Sequence, residues 1–239
     1  IAQTRPVKGD INKNIESHKN LIEIAVSKGV DVVVFPELSI TGYEPELAKE
    51  LATTQYDKRL DIFQDISDLN KIAIGVGLPT RENGNIFISM IIFQPKKDRF
   101  TYSKQYLYPT EVDYFMPGQK QIYLNLDDNN IIAPAICYEL SNPEHSEMAH
   151  KNNANIYIAS VLNSVGGVDN DIKKLSAIAR KYKMTVLMAN YIGQSGGYQC
   201  AGKSSIWNNE GLLIGQLNDK NEGLLIFDTE IKKVIEVIV

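Results

Sequence analysis

Three residues in this sequence could act together in covalent catalysis: a glutamate and a cysteine, each at the end of an apolar run, and a lysine beside an aromatic-rich stretch. Glu37 follows residues 30–35, Lys104 lies in the stretch 102–107, and Cys137 follows residues 131–136. Such runs predict strands, and α/β folds keep their reactive groups at strand ends. A free thiol has a pKa of about 8.5, so a nucleophilic cysteine needs a neighbouring base or cation. Cys137 alone would also suit a small buried side chain, but Glu37 and Lys104 would supply both a base and a cation.

Three motifs surround these residues and resemble the catalytic motifs of the nitrilase superfamily of carbon–nitrogen hydrolases. In chain order they are Phe35-Pro36-Glu37-Leu38 with Thr41-Gly42-Tyr43, Tyr102-Ser103-Lys104 with Leu107, and Ala135-Ile136-Cys137-Tyr138-Glu139. Further similarities lie at residues 114–118 and 202–206, and at Gly211. The resemblance therefore covers nearly the whole chain.

The resemblance implies an α/β fold, a four-layer α-β-β-α sandwich of the nitrilase type. The pattern of elements, with helix pairs between strands and no linker, agrees with one carbon–nitrogen hydrolase domain over residues 1–239. By analogy with the family we expect a homodimer, no cofactor and no metal.

The resemblance also assigns roles within the site. Cys137 would attack the substrate and form a thioester, Glu37 would act as the base, and Lys104 would stabilise the oxyanion. Four further residues are candidates for substrate binding or support of the site: Tyr43, Glu111, Tyr138 and Asn163. Glu111 matches a second glutamate near the active site of many members, and a carboxylate there would keep a buried Lys104 charged.

Composition excludes several classes of partner. The chain has 239 residues, of which 44% are hydrophobic, and a net charge of −4. This charge offers no attraction to nucleic acid or anionic membranes, although tyrosines crowd around Lys104. No apolar run approaches the roughly 20 residues of a membrane helix. Two cysteines make no disulfide framework, so a cytoplasmic setting is expected.

Apolar periodicity predicts the other elements. A helix should begin at Asp10 and end at Gly29, and residues 71–78 and 86–94 should form a hairpin. A helix beginning at residues 141–144 should bury Met148 and Ala149 and expose His145 and His150. Residues 194–198 should be a loop, and strands at 203–207, 212–217 and 223–227 should complete a sheet.

Two other functions remain open, together with the identity of the substrate. A catalytically idle small-molecule binding module and, less favoured, a metal-dependent phosphodiesterase are the alternatives. Leu140 and Ser141 stand where many family members have an arginine and a phenylalanine shortly after the cysteine. The departure argues against a carboxylate-binding arginine at that place, and with it against an ω-amidase or a carbamoylase, so a small aliphatic amide is the expected substrate.

Overall fold

A computed structural model describes residues 1–239. Its fifteen strands are β1 Ala2–Gln3, β2 Val32–Val34, β3 Ala73–Glu82, β4 Asn85–Phe93, β5 Phe100–Ser103, β6 Leu124–Asn125, β7 Ile131–Ile136, β8 Ile156–Ser160, β9 Thr185–Ala189, β10 Ile192–Ser195, β11 Tyr198–Ala201, β12 Ser205–Trp207, β13 Leu213–Gln216, β14 Gly223–Asp228 and β15 Lys233–Ile238. Its five α-helices are α1 Ile11–Ser27, α2 Ala48–Leu51, α3 Asp61–Asn70, α4 Pro143–Lys151 and α5 Val168–Tyr182. Short 3₁₀ helices lie at Pro45–Leu47, Lys58–Leu60, Pro109–Glu111 and Cys137–Ser141.

Two central sheets carry the candidate residues. One has the strand order β13-β12-β9-β8-β7-β6, and the other has the order β2-β3-β4-β5. Strands β7, β8 and β9 are parallel, as are β2 and β3, while β3, β4 and β5 pair in antiparallel fashion. Glu37 follows β2, Lys104 follows β5, and Cys137 follows β7.

Three apolar clusters define four layers. Alternate residues of a strand face opposite sides, so each sheet contributes to two clusters. On β7, Ile132 and Ile136 pack between the two sheets, whereas Ala133 and Ala135 face α4 and α5. The outer face of the four-stranded sheet packs against α1 and α3 in the third cluster. The predicted α-β-β-α sandwich is therefore confirmed.

Helix α1 shows how local sequence sets an element. The Asp10 side chain accepts a hydrogen bond from the Lys13 amide at 3.1 Å, which satisfies one of the free N–H groups at the start of the helix. Gly29 follows the helix with φ of +69°, a conformation that glycine adopts without strain. Both predicted ends of this helix are confirmed.

Among the helices, none combines the length and the apolar character that crossing a bilayer would need.

The carboxyl-terminal third differs from the prediction. Strand β14 does not extend the sheet of β12 and β13 but lies between β1 and β15 in a separate three-stranded sheet. Residues 194–198 are not a loop, because β10 and β11 form a hairpin across Gly196 and Gly197. Both glycines have positive φ, which a two-residue hairpin turn requires.

Helix α4 also differs in which side chains it buries. His145 is buried and Met148 is 47% exposed, the reverse of the prediction, whereas Ala149 is buried and His150 exposed as expected. The reason is polar contact: His145 hydrogen-bonds to Tyr102 and Tyr157 in the interior, a preference that apolar periodicity does not reveal.

Candidate active site

Glu37 is held at the end of β2 by contacts to its own backbone. The Tyr191 hydroxyl donates a hydrogen bond to the Glu37 carbonyl oxygen at 2.6 Å. Gly77 on the neighbouring strand has no side chain, and a Cβ there would lie 2.4 Å from the Leu38 nitrogen. The turn at residues 36–38 can therefore lie directly against the sheet. The Glu37 side chain is buried, and its Oε2 has no hydrogen-bond partner.

Lys104 is fully buried and contacts two carboxylates. Its Nζ donates to Glu37 Oε1 at 2.7 Å and to Glu111 Oε1 at 2.8 Å. Its backbone N–H donates to the Ile88 carbonyl, and its carbonyl accepts from the Gly118 N–H. The lysine is thus fixed at both backbone and side chain.

Glu111 lies on the other side of Lys104 and is also buried. Its Oε1 accepts from the Tyr43 hydroxyl at 2.7 Å, in addition to Lys104, and its Oε2 accepts from the Tyr108 backbone N–H at 2.7 Å. Tyr43 is itself held through its backbone N–H, which donates to Ser195 Oγ. Glu111 therefore holds the Lys104 ammonium in position, and Tyr43 holds Glu111.

Cys137 begins a 3₁₀ helix immediately after β7, with φ of +45°. Positive φ is uncommon for residues other than glycine, and strained backbone of this kind clusters at functional sites. Cys137 as a residue is half-buried, and its Sγ donates to the Leu162 carbonyl at 3.7 Å. The thiol also lies close enough to the Glu37 carboxyl group to lower that group's pKa.

Burial and charge set the protonation states. Burial raises the pKa of Glu37 to about 7, since Lys104 only partly offsets the loss of water and Glu111 adds repulsion. Burial lowers the pKa of Lys104, but the neighbouring acidic groups, Glu37, Cys137 and Glu111, outweigh it and raise the pKa overall. Burial and Glu37 raise the pKa of the Cys137 thiol well above its ordinary value. The resting cluster thus has a cationic lysine, a neutral thiol and a glutamate that gains or loses a proton near neutral pH.

The remaining two candidates, Tyr138 and Asn163, lie outside the hydrogen-bonded cluster of Glu37, Lys104 and Glu111. Tyr138 follows Cys137 in the 3₁₀ helix, and its ring meets that of Tyr108 edge-on with centroids 5.3 Å apart. Asn163 directly follows Leu162 and is buried, but its side-chain amide donates to Met188 Sδ at 3.5 Å. Its backbone N–H donates to Asn190 Oδ1 at 2.8 Å. These contacts make Asn163 a support of the loop beside Cys137 and give no indication of substrate contact.

Sequence reasoning missed two residues that hold the site together. Tyr191 contacts the Glu37 backbone from 154 positions away in the chain, and no local pattern indicates this contact. Glu139 is buried and accepts hydrogen bonds from the backbone on either side of the site. Its position, three residues after the strand residue Ile136, is the spacing of a helix-capping glutamate and is a usable signal.

Comparison with known proteins identifies the family. The sequence model of the carbon–nitrogen hydrolases matches residues 1–238. The chain belongs to the carbon–nitrogen hydrolase family. This membership confirms the predicted class of enzyme, a hydrolase of carbon–nitrogen bonds.

Several members of the family are similar over nearly their full length. A hydrolase in the agr operon of Staphylococcus aureus is 26% identical, with 98% of this chain and 91% of that protein covered. The 2-oxoglutaramate amidase of Bacillus subtilis is 25% identical, with 96% and 89% covered.

Solved structures confirm the fold. An amidase from Nesterenkonia sp. AN1 superimposes with a TM-score of 0.86 at 21% identity, covering 99% of this chain and 88% of that one. That structure is of a variant with the acetamide moiety of fluoroacetamide added covalently at its active-site cysteine.

The metal-dependent alternative gains no support from the side chains. The chain contains no group of three or more His, Cys, Asp or Glu residues arranged to hold a metal ion.

Proposed function

We propose that this carbon–nitrogen hydrolase converts a small aliphatic amide into a carboxylic acid and ammonia through a thioester on Cys137. The observation that carries the proposal is the buried cluster at the strand ends. Glu37 has one oxygen on Lys104 and the other without a partner, and the Cys137 thiol lies beside this carboxyl group. The proposal takes these three groups as the nucleophile, the base and the cation of the reaction.

The first half of the reaction forms the thioester. Ionised Glu37 takes the thiol proton as the sulfur attacks the amide carbon, and the C=O π electrons move to the oxygen. Lys104 and the Tyr138 backbone N–H would receive the oxyanion. Lys104 is suited to this because the surrounding carboxylates keep it charged despite complete burial. A donor of this kind typically contributes about 3 kcal/mol to lowering the barrier.

The second half releases both products. Protonated Glu37 returns its proton to the amide nitrogen as the C–N bond breaks, so ammonia leaves and the acyl group stays on sulfur. Glu37, now ionised again, takes a proton from water, and the resulting hydroxide attacks the thioester carbon. Collapse of this second tetrahedral species breaks the C–S bond, and the sulfur recovers a proton from Glu37. A carboxyl group with a pKa of about 7 is matched to this repeated exchange.

The segment after Cys137 supports an uncharged substrate. Leu140 is 5% exposed and packs with the apolar residues beneath α4 and α5. Ser141 Oγ accepts from Lys174 Nζ at 2.8 Å, and the same ammonium is paired with Asp171 at 2.8 Å. Neither position offers a free cation for a substrate carboxylate. An amidase of similar fold was solved in complex with butyramide, which makes short aliphatic amides the first compounds to test.

Ammonia release from a panel of compounds tests the proposal. The panel holds acetamide, propionamide and butyramide, monoamides of dicarboxylic acids, N-carbamoyl amino acids and nitriles. We expect turnover of the short aliphatic amides by the wild-type protein and none by Cys137→Ala, with the circular dichroism spectrum unchanged. Turnover by Cys137→Ala would remove the nucleophile assignment, and an absence of ammonia release together with an unreactive Cys137 thiol would favour the binding module.

The homodimer and the single-domain organisation stay predictions. Sedimentation can check the first and limited proteolysis the second.

A further inference from the structure

The carboxyl group of Glu139 joins the two strand ends that supply the proposed nucleophile and the proposed oxyanion donor. Its Oε2 accepts from the Ile136 backbone N–H at 2.6 Å, and Ile136 directly precedes Cys137. Its Oε1 accepts from the Gln105 backbone N–H at 2.6 Å, and Gln105 directly follows Lys104. The two backbones belong to different sheets, because Lys104 follows β5 and Cys137 follows β7. No strand pairing therefore fixes their separation.

We propose that Glu139 is a positioning residue that sets the separation between the Cys137 thiol and the Lys104 ammonium. The inference rests on the proposed function, since it concerns the geometry of the same reaction. Glu139 has no contact with the thiol or the ammonium among its hydrogen bonds, and it acts through the backbone of each.

An ordinary helix cap does not explain these contacts. Glu139 is the third residue of the 3₁₀ helix Cys137–Ser141, so its bond to the Ile136 N–H is the glutamate half of a capping box. The bond to Gln105 reaches 34 residues along the chain and adds nothing to that helix. It holds the loop that carries Lys104.

A chain of buried side chains holds the Glu139 carboxyl group in place. The Tyr102 hydroxyl donates to it, with 2.8 and 2.7 Å to its two oxygens, and His145 Nε2 lies 2.9 Å from the Tyr102 oxygen. The Tyr157 hydroxyl lies 2.8 Å from His145 Nδ1. Burial lowers the pKa of His145 to about 4, so the ring is neutral at pH 7. The ring then accepts from Tyr157 and donates to Tyr102, and the donors run in one direction toward Glu139.

The ionisation of Glu139 follows from the same surroundings. Burial raises its pKa to about 7, while the two backbone N–H groups and the Tyr102 hydroxyl favour the charged form. To hold both backbones, the side chain at position 139 must accept one hydrogen bond from the Ile136 N–H and another from the Gln105 N–H. Glutamine retains the shape but has a single acceptor oxygen, so its NH₂ group would face one of the two backbone N–H groups.

The substitution Glu139→Gln tests the inference. We expect kcat to fall about 100-fold, the loss typical of a misplacement near 1 Å, with KM changed by less than about threefold. The rate at which iodoacetamide alkylates Cys137 should fall as well, because the thiol no longer meets Glu37 correctly. Ile22→Ala is the control: it truncates a fully buried side chain on α1, in the apolar cluster under α1 and α3 that contains none of the site residues. It should lower the melting temperature and leave kcat per folded molecule unchanged.

Two results would overturn the inference. One is folded Glu139→Gln with wild-type kcat and alkylation rate, and the other is an equal loss of kcat in Ile22→Ala. If Glu139→Gln does not fold, Glu139→Asp replaces it, since it keeps the charge but is one methylene too short to span both N–H groups. Failure of the proposed function is distinguishable, because wild-type protein would then release no ammonia, whereas the alkylation rate needs no substrate and still tests Glu139.

Discussion

Neutralising Glu111 should move the pH dependence of catalysis in a direction that the buried cluster determines. The proposed base is Glu37, which must be ionised to take the thiol proton, so kcat/KM should rise with pH through its pKa of about 7. The negative charge of Glu111 is one cause of that high pKa. The substitution Glu111→Gln removes the charge and should therefore lower the pKa of Glu37.

The size of the effect follows from the geometry around Lys104. Because both carboxylates contact the same ammonium, at 2.7 and 2.8 Å, their charges lie roughly 5 Å apart and repel by about 3 kcal/mol at an effective dielectric constant of about 20. One pH unit corresponds to about 1.4 kcal/mol, so the acidic limb should move by about two pH units toward acid. The amide introduced by Glu111→Gln would also place an NH₂ group against the Tyr108 N–H or the Lys104 ammonium, at a cost of about 1–3 kcal/mol in unfolding free energy.

The assay is kcat/KM for a short aliphatic amide between pH 4.5 and pH 9, measured as ammonia release. The matched control is Tyr43→Phe, which removes the hydroxyl that donates to Glu111 but leaves the charge of Glu111 in place. Its acidic limb should stay near that of the wild type. An acidic limb that does not move in Glu111→Gln, or that moves toward alkali, would refute the reasoning that Glu111 raises the pKa of Glu37.

Three further results are expected. Lys104→Met should lower kcat/KM by at least about 100-fold, because it removes an oxyanion donor and leaves two buried carboxylates without their cation; near-normal steady-state kinetics would contradict this. Iodoacetamide should label Cys137 and not Cys200 in the native protein, because Cys200 is buried, whereas Cys137 is half-buried and has Glu37 beside it as a base; peptide mapping by mass spectrometry that finds Cys200 labelled first would be the contrary outcome. Burial lowers the pKa of His18 to about 3, so the unfolded chain binds more protons below pH 6.5, and wild-type protein should lose about 3 kcal/mol of unfolding free energy relative to His18→Gln between pH 6.5 and pH 4; parallel urea-denaturation curves for the two proteins would disprove it.

The residues of the candidate site could be predicted from the sequence because the patterns that identify them lie close to them in the chain. Glu37 and Cys137 each follow a strand that an apolar run predicts, Lys104 lies beside an aromatic-rich extended stretch, and each of the three lies in a short recognisable motif. The layers could be predicted for a similar reason. Successive side chains of β7 point to opposite faces of the sheet and so belong to two different apolar clusters.

Two of the three errors share a physical cause, which is dependence on contacts distant in the chain. His145 is buried because Tyr102 and Tyr157 provide hydrogen-bond partners in the interior, and both lie on strands outside its helix. Strand β14 pairs with β1, more than 200 positions away, and no pattern within β14 distinguishes that partner from β13. The β10–β11 hairpin is different, because its Gly196-Gly197 pair is a local turn signal that suits a flexible loop equally well.

Acyl transfer to hydroxylamine tests the central claim, a thioester on Cys137, most directly. Wild-type protein incubated with butyramide and hydroxylamine should release ammonia and divide the acyl group between butyrate and the hydroxamate, because hydroxylamine competes with water for the acyl-enzyme. Cys137→Ala should produce neither. Ammonia release by Cys137→Ala, or release by the wild type without any hydroxamate, would contradict the account.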